Sequence, residues 1–106
     1  ARRRYAFAAW RLVAFAGFDL ADAQQAAAVL TSPQGDLALS VSSDYPGLQV
    51  YTGDHLKSPF VARQGICLEP QFFPDSPNQK GFPFHFTRPG QPFKAHIRYQ
   101  LEKTAP

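Results

Sequence analysis

Residues 65–78, with the sequence GICLEPQFFPDSPN, give the clearest evidence for the fold of this chain. They begin as a β-strand, because Ile66 and Leu68 alternate with side chains that point to the other face. The strand runs into a loop that its prolines make rigid by fixing backbone angles. Glu69 lies mid-strand between apolar neighbours, where a carboxylate is either salt-bridged or chemically active. We expect it to be partly buried, which raises the pKa of a carboxylate towards the range of a general base.

The remaining pattern predicts short strands separated by proline and glycine turns. Alternation is clear in residues 37–42, where we expect Leu37, Leu39 and Val41 to face inward and Ser42 outward. It is clearest in residues 93–101, where one face carries Phe93, Ala95, Ile97, Tyr99 and Leu101. We expect the opposite, polar face to be solvated and the tail after residue 101 to fray. The predicted strands cover residues 26–32, 37–42, 48–52, 66–71, 82–88 and 93–101. Such spacing predicts an all-β chain, folded as an antiparallel sheet or sandwich.

Composition bounds the possible functions. A chain of 106 residues forms at most one small domain. Three of its 11 basic residues are consecutive arginines near the N-terminus, and the other eight balance the eight acidic residues, which argues against a nucleic-acid partner. No apolar run is long enough to span a bilayer. A single cysteine excludes an internal disulfide and fits a reducing compartment, so we expect a cytoplasmic location.

Residues 1–25 differ in character from residues 26–106, and we treat them as an atypical lead-in to a β-domain. They are rich in arginine and alanine, with no acidic residue before Asp19. A targeting segment is one interpretation, although Arg11 splits its apolar part into two short pieces. The alternative is an irregular or helical lead-in, or sequence foreign to the domain behind it.

Three polar side chains are candidates for a binding site. Gln49, Tyr51 and Glu69 lie on the non-core faces of strands that we expect to be neighbours. An amide, a phenol and a carboxylate beside apolar rings suit a sugar, whose hydroxyl groups need directional partners. The alternative is that this face is simply exposed to solvent.

Other reactive residue types give weaker signals. His85 and His96 lie in alternating segments, where an outward histidine is the default. His55 follows Asp54 in a loop, but no second group of ligands accompanies it, so we expect no metal and no other cofactor. Cys67 has apolar neighbours, and we expect it to be a packed side chain and not a nucleophile.

Four sequence blocks resemble the signature series of the aldose 1-epimerase (galactose mutarotase) family. They are PGLQVYTG at residues 46–53, GICLEPQ at 65–71, FPDSPN at 73–78 and RPG at 88–90. Their order and approximate spacing are those of the C-terminal part of the family. The resemblance covers residues 26–101.

The resemblance implies part of a β-supersandwich that interconverts the α and β anomers of hexoses such as galactose and glucose without a cofactor. It implies that Glu69 is the general base for the C1 hydroxyl and that Gln49 contacts the sugar. In the family, a histidine protonates the ring oxygen. The partner that the resemblance implies is a small aldose.

The sequence also departs from the family pattern. The family's catalytic histidines precede the part that this chain resembles, and residues 17–20 lack the histidine of its Asp-His block. Asp54 stands where the family has asparagine, and we give no acid role to His55, His85 or His96. We therefore expect an incomplete epimerase site, with a non-catalytic sugar-binding domain or an inactive remnant as alternatives. A partial sandwich leaves open sheet edges, which favour self-association.

Overall fold

The computed structural model describes residues 2–7, 10–15 and 26–104, and the strands in them are antiparallel. A five-stranded sheet has the order β1-β2-β3-β4-β7, and β5 and β6 form a separate pair. This confirms the predicted all-β class. The strands are β1 (Arg2–Phe7), β2 (Trp10–Phe15), β3 (Ala28–Thr31), β4 (Leu37–Ser43), β5 (Gly47–Tyr51), β6 (Cys67–Gln71) and β7 (Ile97–Lys103).

The core lies between the β5–β6 pair and one face of the larger sheet. Pairing of β3 with β4 brings Ala28 opposite Val41, which is fully buried. Leu68 of β6 belongs to the same buried cluster, and Leu48 and Val50 of β5 pack against it. Two small apolar faces therefore cover each other, as in a sandwich.

The sandwich covers only part of the larger sheet. Tyr99 of β7 lies opposite Val41, and Leu101 lies opposite Leu39, so both belong to the face that carries the core. Tyr99 is nevertheless 54% exposed and Leu101 70% exposed. The inward face that we expected for this strand is largely uncovered, because the β5–β6 pair does not extend across β7.

Several local predictions are corrected. The lead-in, expected to be irregular or helical, contains β1 and β2, and β2 pairs with β3. Residues 82–88 form no strand beyond an isolated bridge from Arg88 to Gln91, because Pro83 lacks a donor and the phenylalanines pack against other rings instead. The division at residue 25 stays a prediction, and the proposed targeting signal there involves residues outside the described ranges.

The strand ends and one buried polar face also differ from the predictions. The last strand begins at Ile97, not at residue 93, and continues to Lys103. The predicted fraying after residue 101 is therefore wrong for residues 102–104, where the backbone N–H of Thr104 also donates to the carbonyl of Asp36 at 2.8 Å. Ser42, predicted to face solvent, is only 7% exposed. Within the described ranges, no helix has the length and apolar character needed to cross a bilayer.

Candidate functional site

The β5–β6 pair places the three predicted site residues on one face. Gln49 lies directly opposite Glu69, and Tyr51 lies opposite Cys67. Residues two apart in a strand share a face, so all four side chains project from the same side of the pair. The alternate residues form the opposite side, where Leu68 is buried. The strands therefore separate a polar face from an apolar one, as the sequence pattern predicts.

A rigid turn fixes the end of β6. Asp75 adopts a left-handed conformation with φ of 62°, just before the 3₁₀ turn Ser76–Asn78. Its carboxylate accepts hydrogen bonds from Asn78 Nδ2 at 2.6 Å and from Gln79 Nε2 at 2.8 Å, and these hold the pKa of Asp75 below its ordinary value. The buried hydroxyl of Ser76 donates to the carbonyl of Phe73. These contacts anchor the end of the strand that carries Glu69.

A cavity of about 380 Å³ opens beside Glu69 on the side of β6 that does not pair with β5. Its size is within the usual range of small-molecule sites, about 300–1,000 Å³. One carboxylate and one phenol stand among otherwise apolar and thiol side chains, a composition that suits an amphipathic ligand of one ring. The lining residues are Leu39, Ile66, Cys67, Leu68, Glu69 and Tyr99.

Glu69 itself is exposed, so the partial burial that we expected for its carboxylate is absent from this structure. Cys67 is exposed as well, which contradicts the predicted packed position. The reason is common to both residues: they lie on the outer face of β6, and the described residues place no further layer over that face.

Tyr51 is held by the loop that follows β5. Its phenol oxygen accepts a hydrogen bond from the backbone N–H of His55 at 3.2 Å, and the two rings stack with centroids 6.5 Å apart. Tyr51 therefore shares the face of Glu69, but its hydroxyl already has one partner. Thr52 donates to the carboxylate of Asp54 at 3.0 Å in the same loop.

The other two histidines belong to a different part of the molecule. His96 donates its backbone N–H to the carboxylate of Asp44 at 2.7 Å, and its Nδ1 lies 3.0 Å from the same group. His85 packs against the rings of Phe72 and Phe93 beside a second cavity of about 180 Å³. Among the residues that the structure describes, no histidine lines the Glu69 cavity, and no group of three or more His, Cys, Asp or Glu side chains is arranged to hold a metal ion.

Tyr99 is the cavity residue that the sequence pattern did not single out. Its hydroxyl donates a hydrogen bond to the backbone carbonyl of Leu68 at 2.7 Å. The alternation of the last strand assigned Tyr99 to the core face, which is correct, but alternation gives no information about what lies opposite that face. Only the register of β7 against β4 brings it next to β6.

Comparison with known proteins identifies the same family that the four sequence blocks resemble. The aldose 1-epimerase family model matches residues 9–100. The chain belongs to the aldose 1-epimerase family. The match begins inside the lead-in and continues through the four signature blocks to β7.

Individual relatives of the family are similar at moderate identity. Aldose 1-epimerase of Escherichia coli K12 is 35% identical over 89 residues, which cover 76% of this chain and 26% of the relative. Aldose 1-epimerase of Haemophilus influenzae is 42% identical over 62 residues, and galactose mutarotase of Mus musculus is 38% identical over 63; each alignment covers 52% of this chain and 18% of the relative. The chain thus spans about a quarter or less of these relatives. No solved structure matches it.

Proposed function

We propose that the face carrying Gln49 and Glu69 binds an aldose and that Glu69 acts as the base of an anomer-interconverting site. The observation that carries the proposal is the direct cross-strand pairing of Gln49 with Glu69. Of the two residues, Glu69 also lines a cavity of ligand size. An amide can donate to one sugar hydroxyl and accept from another, whereas a carboxylate accepts only. Their neighbouring positions suit adjacent hydroxyl groups of one pyranose, and galactose is the sugar we would test first.

The proposed step is a proton transfer. Glu69 accepts the proton of the C1 hydroxyl, the bond between C1 and the ring oxygen breaks, and the electron pair of that bond remains on the oxygen, which takes a proton from an acid. Rotation about C1–C2 and closure from the other side give the other anomer, and the protons return. No described histidine lines the cavity, so the proposed acid is water or a group outside the described cavity lining.

Mutarotation of α-D-galactose, followed by polarimetry or NMR, tests this role. We expect the protein to accelerate equilibration and Glu69→Gln to lower the rate constant by about 10²–10⁴-fold, the usual contribution of a positioned base. Glu102→Gln is the matched control, because Glu102 is an exposed glutamate of β7 outside the cavity lining. Full activity in Glu69→Gln would refute the role of Glu69 as the base.

A second candidate is a non-catalytic sugar-binding β-domain. The exposed position of Glu69 supports it, because an exposed carboxylate can accept hydrogen bonds from the hydroxyl groups of a sugar. Binding of galactose without acceleration of its mutarotation would favour this candidate.

We also propose a cytoplasmic location, which the single cysteine supports.

A further inference from the structure

Tyr99 connects the five-stranded sheet to the strand that carries Glu69. It lies in β7, and its hydroxyl donates to the carbonyl of Leu68 at 2.7 Å. Leu68 immediately precedes Glu69 in β6. The hydrogen bond therefore fixes the backbone next to the carboxylate from the side of β6 that does not pair with β5.

The ring of the same tyrosine forms a wall of the Glu69 cavity. Although its hydroxyl is engaged, Tyr99 is 54% exposed and lines the cavity, so the residue is accessible to a ligand. A pyranose has an apolar C–H face and a polar rim of hydroxyl groups. An aromatic wall and a carboxylate in one cavity match these two surfaces, because such sites combine apolar contact with a few polar groups that fix orientation.

We propose that Tyr99 is a positioning residue for Glu69 and, through its ring, the wall against which the sugar lies. The inference deepens the proposed function and rests on it for the identity of the ligand. The hydroxyl and the ring have separate tasks: the hydroxyl holds the backbone of β6, and the ring contacts the sugar. Two substitutions separate them, because Tyr99→Phe removes the hydroxyl alone and Tyr99→Leu removes the ring as well.

The positioning task is tested without any sugar. Amide ¹⁵N relaxation gives order parameters of about 0.85 for rigid backbone and below about 0.6 for flexible backbone. In Tyr99→Phe we expect the values at Leu68 and Glu69 to fall towards the flexible range. Tyr45→Phe is the matched control, because Tyr45 packs against Phe72 and Phe93, outside the Glu69 cavity. Unchanged order parameters in Tyr99→Phe would overturn the positioning role.

The two tasks also predict different kinetic effects on galactose mutarotation. Misplacement of a reacting group by about 1 Å can cost about 10²-fold in rate, so Tyr99→Phe should lower kcat by up to about that factor and leave KM nearly unchanged. Tyr99→Leu should raise KM in addition. A loss of folded protein would also lower kcat without changing KM, so each kcat is normalised to the folded fraction measured by circular dichroism. An unchanged KM in Tyr99→Leu would refute the contact between the ring and the sugar.

Direct binding separates a failure of this inference from a failure of the proposed function. Galactose binding to the unmodified protein, measured by NMR, tests the proposed function first. If the unmodified protein and Tyr99→Leu bind galactose equally well, the ring of Tyr99 does not contact the sugar, although the proposed function stands. If galactose does not bind, the proposed function and the proposed contact of Tyr99 with the sugar are both refuted. The relaxation measurement still decides whether Tyr99 positions β6.

Discussion

Gln49 and Glu69 lie directly opposite each other in the β5–β6 pair, and both are exposed. The Cβ atoms of directly opposed residues are about 4.5–5.5 Å apart in antiparallel strands, so the amide and the carboxylate can reach the same small ligand. The geometry of this pair is set by the backbone register, which makes it less dependent on mobile loops than a site built from two turns.

Replacing Gln49 with leucine should weaken galactose binding without unfolding the protein. The change removes one hydrogen-bonding group and keeps a similar volume, and a net hydrogen bond contributes about 0.5–1.5 kcal/mol. The dissociation constant should therefore rise roughly 2- to 12-fold. NMR titration with galactose measures the effect, and Gln100→Leu, at another exposed glutamine in β7, is the control. Equal affinity in Gln49→Leu and the unmodified protein would exclude Gln49 from the site.

The sequence could predict which face Gln49 and Glu69 occupy, because side chains alternate strictly along a strand. It could not predict that they are direct partners, because alternation fixes the face and leaves the register open. The same limit explains Tyr99, whose face was predicted and whose hydrogen bond to Leu68 was not. The exposure of the β7 face that carries Tyr99 depends on how far the β5–β6 pair extends over the larger sheet. No local sequence pattern gives that distance.

Acid should destabilise the protein through Asp44. The backbone N–H of His96 donates to this carboxylate and holds the pKa of Asp44 below its ordinary value. A carboxylate whose pKa is lower in the folded state stabilises that state above the unfolded pKa, near 3.8, and this contribution is lost as the pH falls through the folded value. The loss should therefore occur below about pH 4.

Asp44→Asn isolates this contribution. The asparagine oxygen can still accept the hydrogen bond from His96, so the variant removes the charge alone. Near neutral pH we expect it to be less stable by roughly 1 kcal/mol, the difference between a hydrogen bond to a charged acceptor and one to a neutral acceptor, and the difference should shrink below about pH 4 as the carboxylate of the unmodified protein is protonated. Urea unfolding followed by circular dichroism at pH 7, 5 and 3 measures it, with Glu102→Gln as a control. A difference that stays constant over this range would show that the charge of Asp44 is unimportant.

The uncovered face of β7 should make the protein associate. Leu101 is 70% exposed beside Tyr99, and β7 is the last strand of its sheet within the described part of the chain. Exposed apolar faces next to open sheet edges promote association. Leu101→Lys should lower the apparent mass in sedimentation velocity experiments while changing the free energy of unfolding by no more than about 0.5 kcal/mol.

The control for this experiment adds the same charge on the other face of β7. Gln100 is exposed and adjacent in sequence, so its side chain points away from the face that carries Leu101. Gln100→Lys should leave the association unchanged. If both lysine variants dissociate the protein equally, net charge and not the apolar face controls association.

Gly53 should be needed for the correct entry of the chain into β6. It has φ of +72°, and a Cβ atom there would lie 2.7 Å from the carbonyl oxygen of Gly65, two residues before β6 begins. Its own carbonyl accepts hydrogen bonds from the backbone N–H groups of Leu56 and Arg63. An alanine side chain therefore has to push the two ends of this loop apart, in addition to the strain of a positive φ.

Gly35 provides the matched control, because its φ is +75° and a Cβ atom there would meet nothing within 4 Å. Gly35→Ala should cost about 1–2 kcal/mol from the left-handed conformation alone. Gly53→Ala should cost more and should also shift the amide resonances of Cys67 and Glu69, because the displaced carbonyl belongs to the segment that leads into their strand. Urea unfolding and ¹⁵N-correlated NMR spectra of both variants measure these effects. Equal destabilisation with no shift at Glu69 would mean that the loop does not control the position of the carboxylate.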